Sequence, residues 1–187
     1  MTLPRSEPDQ GFTLVELIVY SALLLVVLAL VGGFFMTGLT ASSRVEAVTK
    51  ASNAGQTVAD SIEMNIRNST DFHLSVPVGT DQFLVARTAK RGATLSWGCV
   101  AWYYSVAGGS IYFTQSDTAI LRPTTADLLN WVLVDNSVAP LSGSGIFTAT
   151  GQQLTVNFKS LADDHPPIRI SSSATSRAGA SGNLTCF

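Results

Sequence analysis

The chain has 187 residues, and its 11 Lys and Arg against 13 Asp and Glu leave a net charge of −2. Charged residues make up only 13% of it, so the balance makes no strong demand for nucleic acid or an anionic membrane surface as a partner. The mean hydropathy of +0.29 comes largely from one segment near the start.

The first eleven residues, MTLPRSEPDQG, are polar, with Arg5 set against Glu7 and Asp9. From Phe12 to Phe35 the chain is almost wholly apolar and carries a single charge, Glu16. At about 1.5 Å per helical residue such a run is long enough to cross the ~30 Å hydrocarbon core of a bilayer. Leu, Val and Ala dominate it, which favours a helix over strands. A carboxylate four residues inside the run costs roughly 2.5–3.5 kcal/mol on insertion scales, so Glu16 requires a reason and a partner. The arrangement is not that of a secretory signal, which has a basic start and a small-residue cleavage site after its apolar core.

From Thr37 to Asn68 the pattern turns amphipathic. Val45, Val48, Ala51, Gly55, Val58, Ile62 and Ile66 recur every three or four residues, marking one helical face. No proline occurs between Phe12 and Asn68, so one helix is expected to run through both parts and stop at Asn68-Ser69-Thr70-Asp71. Gly32-Gly33 is the place in it expected to bend or melt.

Beyond Asp71 the pattern is that of strands: Phe72–Val76, Phe83–Arg87, Ser96–Val106, Ile111–Thr114, Ala119–Leu121, Trp131–Val134, Gly145–Thr148, Leu154–Phe158 and Ile168–Ser172. Ala107-Gly108-Gly109-Ser110 supplies the clearest hairpin turn, and Thr150-Gly151-Gln152 a second. Thr124–Leu129 is expected to form one helical turn, with N-cap candidates at its start. The small, polar tail from Ser171 reads as a loop or a sheet edge. The expected class is α+β, an antiparallel sheet packed on the second half of a long helix. The roughly 150 residues beyond the anchor suit one domain.

No catalytic pattern is present: G-x-S-x-G, H-E-x-x-H, C-x-x-C and phosphate-loop motifs are all missing, and His73 and His165 lie in no ligand-spaced cluster. No catalytic residue, metal site or cofactor is therefore expected. Asp163-Asp164-His165 is the one dense polar trio, but calcium needs six to eight oxygens and a solvated turn is the plainer reading. Trp97, Trp102, Tyr103, Tyr104, Tyr112 and Phe113 form an aromatic group near Lys90 and Arg91. DNA is conceivable as its ligand yet unsupported, because the hairpin itself has no Lys or Arg. Core packing of these rings is expected instead.

Gly11-Phe12-Thr13-Leu14-Val15-Glu16, followed by the apolar run, resembles the cleavage and methylation motif of type IV prepilins and type II secretion pseudopilins. The resemblance implies residues 1–11 as a leader removed by prepilin peptidase after Gly11, with methylation of the new amino terminus at Phe12. It implies residues 12–36 as the transmembrane and assembly helix, 37–68 as its amphipathic second half and 69–187 as a β-rich domain. Glu16 would then pair with the Phe12 amine of a neighbouring subunit. The implied partners are other pilin subunits, the membrane assembly platform, and lipid before assembly. The implied location is a single pass with the domain outside the cytoplasm, then a pilus or pseudopilus. Two departures are visible: the leader lacks a basic cluster, and Gly32-Gly33 stands where the family often has a helix breaker.

An extracytoplasmic domain permits disulfides, and the even count allows a Cys99–Cys186 bond, with two free thiols as the alternative. Val58–Asn68 and the stretch from Trp102 to Phe113 are loosely similar to larger minor pilins of the W and J types. A minor pilin or pseudopilin is the expected role. A major pilin, a DNA-uptake pseudopilin and a tip adhesin or DNA-binding subunit are the alternatives.

Overall fold

The computed structural model describes residues 13–75, 81–90, 92, 94, 96–143, 145–177 and 186–187. Gly11, Phe12, Val76 and Arg91 lie outside the described residues. The chain divides into two units, residues 1–45 and Glu46–Phe187. Helix α1, Leu14–Arg67, is a single element of 54 residues.

Within the first unit, α1 meets no other element. Its large apolar side chains from Leu14 to Leu39 are between 49% and 78% exposed, so none of the described residues covers them. This helix is long and apolar enough to cross a membrane.

In the second unit the helix is a packed element. Ala51, Gly55, Val58, Ala59, Ile62 and Ile66 are buried, and full burial of a Val or Ile contributes roughly 1.5–3 kcal/mol relative to exposure. Val48 is half-buried and Val45 is exposed, so the packed stripe begins later than the periodicity alone suggests. Gly55 marks the closest approach: a Cβ there would lie 2.8 Å from Ile170 Cγ1 and 3.2 Å from Ser160 Cβ. The helix ends where expected, with the Asn68 N–H donating to Met64 O at 3.2 Å before the chain turns into the first strand.

Five strands, β1 (Ser69–Ser75), β2 (Gln82–Ala89), β3 (Trp97–Ser105), β4 (Ser110–Ser116) and β5 (Val132–Asp135), form an antiparallel sheet in chain order. The hairpin between β3 and β4 is the one the Gly pair marks. Gly109 has a φ of +56°, and a Cβ there would lie 2.8 Å from Val138 O. A second sheet is built on β8 (Gln153–Ala162). Strand β9 (His165–Thr175) runs along one edge of it. Along the other edge lie β6 (Val138–Pro140), opposite Phe158–Ser160, and β7 (Phe147–Thr150), opposite Gln153–Val156. The α+β class is therefore the observed one.

Alternation along β2 and β3 explains their near-continuous apolar character, because both faces are covered. Leu84, Ala86, Val100, Trp102 and Tyr104 join the helix stripe and Val156, Phe158 and Ile170 of the second sheet in the main core. Phe83, Val85, Cys99, Ala101 and Tyr103 face the other way, under Ile120, Leu128, Trp131 and Cys186. Two sheets thus share one core, while the β4–β5 connection covers the far side of the first.

Several expectations are corrected. Ala119–Leu121 is not a strand: Ile120 is a buried plug whose N–H donates to Cys186 O at 3.2 Å. Of the short apolar run only Ile120 serves the second core, while Leu121 is 82% exposed. The strand expected at Gly145–Thr148 lies at Phe147–Thr150; just before it the Ile146 N–H donates to the Gln82 side chain of the first sheet. The three residues of β6 carry no usable pattern and went unforeseen. Ser171–Thr175 extends β9 at a sheet edge, the edge alternative for the start of the tail. Pro166 and Pro167 are tolerated there because an edge strand has unpaired positions. The helical turn expected at Thr124–Leu129 is a short 3₁₀ helix, Asp127–Asn130. Asp127 Oδ2 accepts from the Thr124 N–H at 2.8 Å and its hydroxyl at 2.7 Å.

Candidate functional site

The apolar part of α1 is the feature whose chemistry is not explained by packing within the chain. Its start is capped by Thr13, whose Oγ1 accepts the Glu16 N–H at 3.3 Å. Glu16 therefore stands in the first turn, where the free N–H groups and the helix dipole favour a negative charge. Its side chain is half-buried, and Oε1 accepts a hydrogen bond from the Tyr20 hydroxyl at 3.1 Å. Tyr20 was not foreseen as part of this site, although an i, i+4 spacing on a helix was enough to find it. Glu16 thus has a partner on its own helix.

Gly32 and Gly33 are helical, and a Cβ at either would meet nothing within 4 Å. Their lack of side chains is not required by anything the chain packs against them. One turn later the Thr37 hydroxyl donates to Gly33 O at 3.0 Å, and Thr40 donates to Thr37 O at 2.9 Å. Such back-bonding by Ser and Thr bends helices slightly, and it adds to a Gly pair with low helix propensity.

In the second unit, Cys99 and Cys186 are joined in a disulfide, with 87 residues of sequence separation and both residues buried. The bond fastens the chain end to strand β3 beneath the second core. Phe187 stacks on His73 with ring centroids 5.5 Å apart, which accounts for one of the two histidines. His165 pairs in the β8–β9 hairpin opposite Ala162, after the Asp163-Asp164 turn in which Asp163 has a φ of +48°. Among the described residues no group of three His, Cys, Asp or Glu side chains is placed to hold a metal ion.

The aromatic group is mostly interior. Trp102, Tyr103 and Tyr104 are buried, and Trp102 packs on Phe113. Trp97 is half-buried beneath the Arg87 guanidinium, 5.3 Å from its ring centre. Burial, reinforced by the Asp81 carboxylate that accepts its hydrogen bond at 2.8 Å, raises the Tyr103 phenol above the ordinary value; Arg122 above the ring opposes this. Burial likewise raises Tyr104. Asp81 also accepts the Val106 N–H at 2.9 Å, so it braces the β3–β4 hairpin. These rings do structural work.

A cleft of about 1030 Å³ lies between the helix end at Met64, Asn65 and Asn68 and the strand ends at Gly98 and Ser116. Its charged groups, Lys90 and Asp117, form an ion pair with each other. Among the described residues that line it, no nucleophile is hydrogen-bonded to a base.

The prokaryotic N-terminal methylation motif matches residues 8–32, a span that includes Gly11, Phe12, Glu16 and Tyr20. This motif is the signature of type IV pilins and pseudopilins, and it suggests a structural subunit. It implies processing by prepilin peptidase and assembly with other pilin subunits. With the apolar helix it fits a protein anchored in the membrane before assembly. No curated protein and no solved structure matches the chain.

Proposed function

We propose that this chain is a minor pilin or pseudopilin, a structural subunit of a type IV pilus or a related type II secretion-like filament. The observation that carries the reading is the methylation motif at residues 8–32 set at the head of a helix whose apolar side chains the chain leaves uncovered. In this reading residues 1–11 are a leader cut after Gly11, and Phe12 becomes the methylated amino terminus. Residues 12–36 hold the subunit in lipid and then in the filament. Residues 37–68 carry the helix into the β-rich part, 69–187.

The physics of assembly follows from the surface on offer. Lipid tails and neighbouring apolar helices are nearly equivalent surroundings for Leu and Val, so transfer between them costs little. Direction and register must come from the few polar groups. Glu16 supplies a charge in the first turn, and a Phe12 amine of the next subunit supplies its counter-charge. Removing one partner leaves the other unpaired in an apolar environment, which makes the pair selective. Gly32-Gly33 is the point at which the helix bends or melts as it enters the filament. The minor role is supported by the likeness of Val58–Asn68 and the β3–β4 hairpin to larger minor pilins.

The test is cleavage and incorporation. Changing Gly11 is expected to leave a heavier, membrane-bound precursor. Glu16→Ala is expected to be cleaved normally yet to be depleted from sheared filaments. Wild-type amounts of Glu16→Ala in those filaments would overturn the pairing, and an unmodified, uncleaved amino terminus in the native protein would overturn the whole reading.

A further inference from the structure

The apolar run contains one acid and one phenol, a turn apart. In lipid each is costly alone, since a buried polar group without a hydrogen bond loses its water and gains nothing. The structure joins them, with the Tyr20 hydroxyl donating to Glu16 Oε1 at 3.1 Å. The other hydroxyls of the segment are turned to the backbone: Ser21 donates to Ile18 O at 2.9 Å, and Thr13 Oγ1 accepts the Glu16 N–H. Tyr20 is therefore the side chain whose length and spacing bring a donor to the carboxylate.

We infer that Tyr20 is a positioning residue of the assembly site, holding the Glu16 carboxylate against its own helix so that the second oxygen is presented to an incoming cation. The inference rests on the reading of Glu16 as an assembly residue. A carboxylate has acceptor sites on both oxygens, and Tyr20 occupies Oε1 only. Among the described residues no group bonds Oε2, so the phenol orients the acid without competing for its partner. The hydroxyl also satisfies part of the acid's hydrogen-bonding capacity while the subunit waits in the membrane. With its rotamer held, Glu16 has less freedom to lose when it binds.

Two substitutions separate the donor from the ring. Tyr20→Phe keeps the ring and removes the hydroxyl, whereas Tyr20→Gln discards the ring and restores a donor at the same spacing. Both are compared with wild type, Glu16→Ala and the Glu16→Ala/Tyr20→Phe double variant. The readout is the amount in sheared filaments per cleaved subunit in the membrane, so that insertion and processing are scored separately. Tyr20→Phe is expected to lower incorporation about fivefold, the factor matching a net hydrogen-bond contribution. Tyr20→Gln should stay within about twofold of wild type, and the double variant should be no worse than Glu16→Ala alone. Wild-type incorporation of Tyr20→Phe beside a defective Glu16→Ala would overturn the inference and leave the assembly reading intact. Equal loss in Phe and Gln variants, or additive loss in the double variant, would assign Tyr20 to packing and overturn it as well. A normal Glu16→Ala would instead remove the reading beneath it.

Discussion

Removing the Cys99–Cys186 bond should destabilise the second unit severely, and the structure sets the scale. The bond closes a sequence separation of 87 residues, which in the chain-entropy account contributes about 4.6 kcal/mol by restricting the unfolded chain. The unit running from Glu46 to Phe187 has about 140 residues, so its unfolding entropy near the midpoint is about 0.3 kcal/mol per degree. The double substitution Cys99→Ala/Cys186→Ala is thus expected to lower Tm by about 15 °C. Alanine is the suitable replacement because both positions are buried, and a serine hydroxyl there would need a partner. The loss has a local component too. Cys186 O accepts the Ile120 N–H, so release of the chain end uncovers Ile120 and the outer face of β3. Near-ultraviolet dichroism of the detergent-solubilised protein, heated with and without reductant, measures the effect. A fall of under about 3 °C on reduction would refute the argument, since loop closure at this length cannot be that weak. So would alkylation of two thiols before any reductant is added.

Other substitutions test the shared core. Gly55→Val is expected to cost about 1–3 kcal/mol by overpacking, because its Cβ would sit 2.8 Å from Ile170 Cγ1; a denaturant midpoint equal to wild type would mean the helix does not dock on β9 this closely. Gln82→Leu should cost at least as much. Gln82 Oε1 accepts the Ile146 and Phe147 N–H groups at 2.6 and 2.8 Å, and its Nε2 donates to Phe147 O at 2.9 Å. Losing it strands buried backbone groups at about 1–3 kcal/mol each, and hydrogen exchange at Ile146 and Phe147 should accelerate first. The Tyr103 phenol gives a pH signature. Its folded pKa lies above the ordinary 10.0, so the native state keeps a proton that the unfolded chain releases. Its contribution is fully present below pH 10.0 and declines as pH rises beyond it. Tyr103→Phe should flatten that alkaline decline; an unchanged slope would show that Tyr103 is not the group responsible.

The long helix and the β3–β4 hairpin were legible because each is governed by a local rule. An uninterrupted apolar run of this length without proline favours a helix, and aromatic strands flanking a Gly pair favour a hairpin. Features that depend on distant partners left no local mark. Strand β6 is three residues long and exists because Lys159 and its neighbours on β8 offer a free edge. Ile120 resembled a strand residue but is a plug, a role visible only once Cys186 is beside it. Gln82 carries no signal for its clamp on Ile146 and Phe147, since a polar residue at a strand start is the usual solvent-facing pattern. Glu16 was identified as anomalous from solvation cost alone. Its Tyr20 partner lay within reach of the same reasoning, because i and i+4 meet on any helix.

The two units differ in what stabilises them, and this difference bears on mechanism. The second unit is self-sufficient, with its helix stripe, two sheets and a disulfide sharing buried contacts. Among the described residues the first has no interior of its own, and its leucines and valines stand exposed on a helix long and apolar enough to cross a membrane. Substitution of one apolar residue for another in Leu14–Leu39 should therefore leave the unfolding of the second unit unchanged. Apolar contact is also a poor discriminator, since any Leu-rich neighbour offers nearly the same surface. In the proposed assembly, selectivity would fall to the groups that such a surface cannot satisfy, namely the Glu16 carboxylate, the Tyr20 hydroxyl and the amine that cleavage before Phe12 would create.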